Sequence, residues 1–196
     1  MSMQTDKKIF ESELTNALGT LHSGGAILYP TDTVWGIGCD CTDARAVDKI
    51  FKIKKRDSTK SLVLLVDSDA RLLRYVKSVP DIAWELMQYS DKPLTIVYPE
   101  GKNLAKNMIG PDGSVAIRIT SDPFCKSLIR TLDHGLVSTS ANISGKPSPQ
   151  NFSDIDKEIL STVDYVVNLR QDERTPATPS SIIKVGMKGE IQIIRK

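Results

Sequence analysis

The chain has 196 residues, 40% hydrophobic and 26% charged, with a net charge of +2. That length suits one domain, 1–196, with its own core, and the composition excludes a disordered polypeptide. A balance of +2 does not mark a nucleic-acid binder, and no apolar run nears the ~20 residues of a membrane span.

The polar start through Phe10 lacks the apolar core of a signal peptide, so a cytoplasmic location is expected. Three cysteines make no disulfide framework, and Cys39 and Cys41 have no second Cys or His pair at zinc-site spacing. No metal site is expected among the side chains.

Taken in chain order, residues 26–29 form the first apolar run and read as a buried strand. It leads into Pro30-Thr31-Asp32-Thr33-Val34-Trp35-Gly36, where two hydroxyls and a carboxylate can hold a small polar ligand or simply cap a turn. A helix follows, capped at Thr42 or Asp43, with Val47, Ile50, Phe51 and Lys54 on one face. The Lys54 stem follows that apolar stripe, and its ammonium is expected to reach out at the helix end. Around it lie Lys49, Lys52, Lys55, Arg56 and Lys60. A solvated helix end explains the cluster, and so does a clamp for phosphate and carboxylate groups.

Strands are predicted at 62–66, 94–98 and 115–119, the last bracketed by Ser114 and Arg118. An Arg beside a buried strand needs an anionic partner. Asp122-Pro123 starts a helix whose apolar face is Cys125, Leu128, Ile129 and Leu132. A strand at 136–139 then enters a loop dense in small donors: Ser138, Thr139, Ser140, Asn142, Ser144 and Ser148. Such a loop suits phosphate or ribose recognition, or is only a polar connection. Ser153 and Asp156 read as the cap of a helix through Leu160, and 165–169 as a further strand. Ser180-Ser181 opens a terminal hairpin, 182–185 and 191–194, joined through Gly186 and Gly189. The expected fold is single-domain α/β, with a twisted mixed sheet flanked by helices. Neither a dinucleotide fingerprint, a P-loop nor a serine-hydrolase elbow is complete.

Five segments in this order resemble the YrdC-like family of threonylcarbamoyl-adenylate synthases: YPTDTVWG at 29–36, KKR at 54–56, SVAIR at 114–118, STSAN at 138–142 and PSSII at 179–183. The resemblance implies a sheet with a concave, positively lined site. It also implies an enzyme that condenses L-threonine, bicarbonate and ATP to threonylcarbamoyl-AMP and pyrophosphate, for N6-threonylcarbamoyladenosine in tRNA. Magnesium would arrive with ATP, and downstream proteins would transfer the group to tRNA. By the same resemblance Lys54 and Arg56 contact phosphates and the reacting carbamate, while Thr31, Arg118, Ser138 and Ser180 hold threonine. Ser58, Ser114, Ser140, Asn142, Ser148 and Arg195 join them on the ATP side. The chain departs from the family pattern at Trp35, Asp57 and Ser61. Weak binding of tRNA or double-stranded RNA is a further expectation. The rival readings are a non-catalytic RNA-binding module and a sister enzyme with another small-molecule acceptor.

Overall fold

The computed structural model describes residues 3–57 and 61–196. Among the described residues nine strands form one continuous sheet: β1 Ile27–Tyr29, β2 Gly36–Gly38, β3 Val63–Val66, β4 Leu94–Tyr98, β5 Val115–Ile119, β6 Leu136–Ser140, β7 Tyr165–Val166, β8 Ser181–Val185 and β9 Ile191–Arg195. Their order is β7-β1-β2-β6-β3-β5-β4-β8-β9. The pairings are mixed: β1–β7, β3–β5 and β4–β8 are parallel, and the others antiparallel. Six α-helices among the described residues accompany the sheet: α1 Met3–His22, α2 Ala44–Ile53, α3 Asp69–Tyr75, α4 Asp81–Tyr89, α5 Pro123–Leu132 and α6 Lys157–Thr162. None of the described helices is long and apolar enough to cross a membrane.

Because side chains alternate along a strand, the sheet divides two apolar clusters. Leu28, Ile37, Leu64, Ile96, Ile117 and Val137 belong to the cluster that also takes in α2, α3 and Ile159 of α6. Ile27, Tyr29, Leu65 and Leu136 face the other way, onto Ala17 and Leu21 of α1 and Phe124, Leu128 and Ile129 of α5. That second layer covers β1, β3 and β6. On the same face of β4, β5 and β8 lie Thr95, Arg118 and Ile182, and there a cavity opens instead.

Local chemistry explains most boundaries. Asp43 caps α2, accepting from Arg45 N at 2.8 Å and Ala46 N at 3.2 Å. Asp122 caps α5 through Cys125 N at 2.8 Å, with Pro123 at the first helical position. The expected cap at Ser153 is displaced. Asp156 caps α6 through Glu158 N, and Ser153 belongs to a preceding 3-10 turn, Phe152–Asp154. The strand expected over 165–169 stops at Val166.

Four further elements escaped the sequence reading altogether: β2, α1, α3 and α4. Strand β2 is Gly-Ile-Gly, a composition that weakens strands. It exists because backbone must pass close there: a Cβ at Gly38 would come within 2.1 Å of Val137 O. Helix α1 is another, although Phe10, Leu14, Ala17, Leu18 and Leu21 do carry the helical spacing.

Candidate active site

On the uncovered face, β2, β3, β4, β5, β6, β8 and β9 surround a cavity of about 160 Å³. Three guanidinium groups reach it, from Arg56, Arg118 and Arg195. Hydroxyls of Thr95, Ser138, Ser140 and Ser180 line the walls between them. Sheet register makes this possible. Ser140 pairs with Gly36, Ser138 with Val63, Arg118 with Leu65, and Thr95 with Ile182, which pairs in turn with Arg195. Six of the residues singled out from sequence are therefore neighbours here although up to 139 positions separate them (Arg56 to Arg195).

Arg118 is 5% exposed and forms an ion pair with Asp32. Asp32 also accepts from Ser121 N at 2.8 Å and Ser121 Oγ at 3.1 Å. Burial pushes the Asp32 carboxyl up, but Arg118 and the Ser121 donors outweigh it and hold it below the usual carboxylate range. Ser180 Oγ lies 2.8 Å from Thr95 Oγ1, and Arg195 Nε donates to Ser180 O at 2.9 Å. Burial and the nearby Arg118 both lower the Arg195 guanidinium, the expected cost of gathering cations in a shielded site.

Thr31 lies behind this wall rather than in it. Its Oγ1 donates to Val34 O at 2.8 Å and accepts from Thr33 N at 3.0 Å, so its hydroxyl serves the turn. Thr33 presents the cavity face instead.

Lys54 corrects the expected outward ammonium. The residue is 0% exposed, and Nζ donates to Ser140 O at 2.5 Å, Asn142 O at 2.6 Å and Asn142 Oδ1 at 3.4 Å. Burial, with Arg56 beside it, lowers the ammonium to about 7, while the three oxygens favour its charged form. Ser140 Oγ donates to Asn142 Oδ1 at 2.5 Å, closing the loop over this cation. Of the rest of the basic cluster, Lys49 pairs with Asp164 and Lys55 with Glu158, while Arg56 stays at the cavity and its Nη2 donates to Ser61 O at 2.9 Å.

Asn142 and Ser148 line a separate groove of about 480 Å³ beyond the Lys54 loop, with Lys146, Gln150 and Asp156. Ser114 is not brought to either space. It sits at the other end of β5, roughly 13 Å along the strand from Arg118, and donates to Asp112 Oδ1 at 2.6 Å. Lys184 bonds the same carboxylate and, with Ser114, holds it well below its usual range. Ser58 and Lys60 lie outside the described residues. Among the described residues no three His, Cys, Asp or Glu side chains are grouped to hold a metal ion.

Thr95 is the cavity residue that sequence reasoning missed. Its signal was present: it is the one hydroxyl within the apolar run of β4 before Tyr98, and it is fully buried. A buried hydroxyl needs a partner, and Ser180 supplies it.

A family model, Sua5_yciO_yrdC, described as telomere recombination, matches residues 19–196. A protein of Pseudoalteromonas translucida named threonylcarbamoyl-AMP synthase is 32% identical over 184 residues, covering 92% of this chain and 97% of its own. One of the same name from Idiomarina loihiensis is 32% identical over 164 residues, 81% of this chain and 86% of its own. Among solved structures, P. abyssi Sua5 complexed with L-threonine superposes with a TM-score of 0.76 at 26% identity. That match covers 88% of this chain, which spans about half of the P. abyssi protein, 50%. E. coli YciO gives a TM-score of 0.79 at 20% identity over 93% of this chain and 88% of its own, a likeness of fold.

Proposed function

The chain belongs to the Sua5/YciO/YrdC family, and from that premise we propose that it is a threonylcarbamoyl-AMP synthase. It joins L-threonine, bicarbonate and ATP into threonylcarbamoyl-AMP and pyrophosphate, and other proteins pass the threonylcarbamoyl group to adenosine in tRNA. The observation that carries this reading is the convergence of Arg56, Arg118 and Arg195 with Ser138, Ser140 and Ser180 on one cavity. Three planar cations and a set of small donors match a carboxylate, a carbamate and phosphates better than they match RNA bases.

Arg118 takes the threonine carboxylate, which replaces or joins Asp32 on the guanidinium. Ser180, oriented by Thr95, and Ser138 hold the rest of the amino acid. The threonine amine attacks the bicarbonate carbon and water leaves as a C–O bond breaks, or it adds to CO2 and gives up a proton; the carbamate oxygen then attacks the α-phosphorus of ATP. Pyrophosphate leaves with the electron pair of the broken P–O bond. Negative charge grows on phosphate oxygens, where Arg56 and Arg195 act without reorganising. Loss of one such preorganised contact costs about 2.7–4 kcal/mol of transition-state stabilisation.

Lys54 works through the main chain, since its ammonium holds the turn that carries Ser140 and Asn142. Magnesium would be held by the triphosphate, whose phosphoryl oxygens would be its ligands and whose charge it would offset. The cavity's own donors are guanidinium groups and hydroxyls, no carboxylate lines it among the described residues, and Asp32 is paired with Arg118.

Pyrophosphate release by the purified protein, with ATP, magnesium and bicarbonate, tests the reading. Release should require L-threonine and fall sharply with L-serine, and Arg56→Ala should abolish it in a folded protein. Release that ignores threonine would point to another acceptor, and none under any condition would remove the synthase reading.

A further inference from the structure

The middle strand of the sheet carries an apolar side chain that its place in the core does not explain. β3 has four strands on either side of it. Its Leu64, Leu65 and Val66 are fully buried, whereas Val63 stays half-buried and lines the cavity. Helices α1 and α5 cover the Leu65 end of this face, so what remains open of Val63 is open to the cavity. Phosphate gains nothing from an apolar floor, but a ligand methyl group does.

Register fixes what surrounds Val63. It pairs with Ser138 on one side and with Ala116 on the other. Directly paired residues bring their Cβ atoms to about 4.5–5.5 Å, so the Ser138 hydroxyl and the Val63 methyls are adjoining halves of one small surface. Gly36 leaves that hydroxyl uncovered, since a Cβ there would come within 3.2 Å of Ser138 Oγ. Arg118 stands on the same face, one strand across and two residues along, with its Cα about 8 Å from that of Val63. Ile182 is the other half-buried apolar strand residue in the lining. It lies between Thr95 and Arg195, on the side given to phosphate.

On the synthase reading, from which this step proceeds, we infer that Val63 selects the side chain of the amino-acid substrate. With the carboxylate on Arg118, the threonine Cβ lies over the Val63–Ser138 pair, its methyl on Val63 and its hydroxyl at Ser138. A Cβ that bears one methyl and one hydroxyl matches a surface that is apolar on one half and polar on the other. L-serine leaves the Val63 half empty. L-allo-threonine, with the two groups exchanged at Cβ, sets its methyl against Ser138 and its hydroxyl on Val63, where no partner waits.

The readout is kcat/KM for pyrophosphate release by the full chain with L-threonine, L-serine and L-allo-threonine, beside calorimetric binding of each amino acid. In the native sequence threonine should exceed serine by about 10–200-fold, the range of one methyl in an apolar pocket. L-allo-threonine should do no better than serine. Val63→Ala should lower the threonine-to-serine ratio about tenfold, and Val63→Thr, of equal shape with a hydroxyl, should raise L-allo-threonine relative to threonine. Both variants should unfold cooperatively and keep the native KM for ATP, which a damaged fold would not. A native ratio near unity, a ratio unmoved in both variants, or one that moves in Ile182→Ala instead overturns the role of Val63 while threonine-dependent release stands. Release that needs no threonine, together with no threonine binding by calorimetry, removes the synthase reading and this inference with it.

Discussion

Lys54 and Arg118 are both buried cations beside one cavity, and they differ in what holds them. Arg118 faces a carboxylate, Asp32, an anion that another carboxylate can replace. Lys54 faces the main-chain oxygens of Ser140 and Asn142, which belong to the fold and cannot leave. The first arrangement stores a binding site with its charge already balanced. The second turns a cation into a clasp for the loop that carries Ser140 and Asn142. Burial alone does not tell these roles apart; the identity of the partner does.

The comparison can be broken first at the ion pair. Arg118→Met strands Asp32 in a buried place, and a buried pair broken on one side loses about 3–5 kcal/mol. Urea unfolding should read that loss, and threonine binding should vanish with it. The double variant Asp32→Asn/Arg118→Met should recover much of the stability and none of the threonine binding. If the double is as unstable as the single, the pair is not what the site stands on.

Lys54→Met should cost less, about 1–3 kcal/mol, because it leaves two carbonyls without their donor rather than a bare charge. Titration of each substrate should separate the two cations: ATP affinity falls in the Lys54 variant while threonine affinity holds. Loss of threonine binding alone would reverse the assignment.

A pH series sharpens the difference. With the folded ammonium lowered to about 7 from 10.5, the unfolded chain keeps its proton across that window while the folded chain releases it. Stability of the native sequence relative to Lys54→Met should therefore rise between pH 7 and 10 or so, and be flat below. Urea midpoints at about pH 6 and pH 9 compare the flat region with the rising one. A constant gap would mean that the three oxygens keep the ammonium charged throughout. The smallest effect is Asp43→Ala, about 1 kcal/mol from the lost cap of α2, with both substrate affinities kept.

The separation of roles seen at Lys54 and Arg118 also marks how much could be read without the fold. The apolar runs of β4 and β5 and the Asp122-Pro123 start of α5 were legible, because burial and capping act over a few residues and leave a local pattern. The polar segments later found around the cavity were legible as well, since small donors next to buried strands are uncommon without a use. Strand β2 was not, because Gly36 and Gly38 are there for a close approach to a strand about a hundred residues on. Thr95 was passed over inside an apolar run, and its partner Ser180 lies 85 positions away.

By itself, then, the sequence determined most of the strands and the helices α2, α5 and α6, which side chains carry charge and hydroxyls, and the family they belong to. Tertiary structure decided which of those groups share a space. It gathered Arg56, Arg118 and Arg195, left Ser114 at the far end of β5, and turned Lys54 inward onto the Ser140 loop. The physical reason is that hydrogen-bond and ion-pair partners are chosen by sheet register and strand order, and these join residues whose separation along the chain carries no trace of their contact.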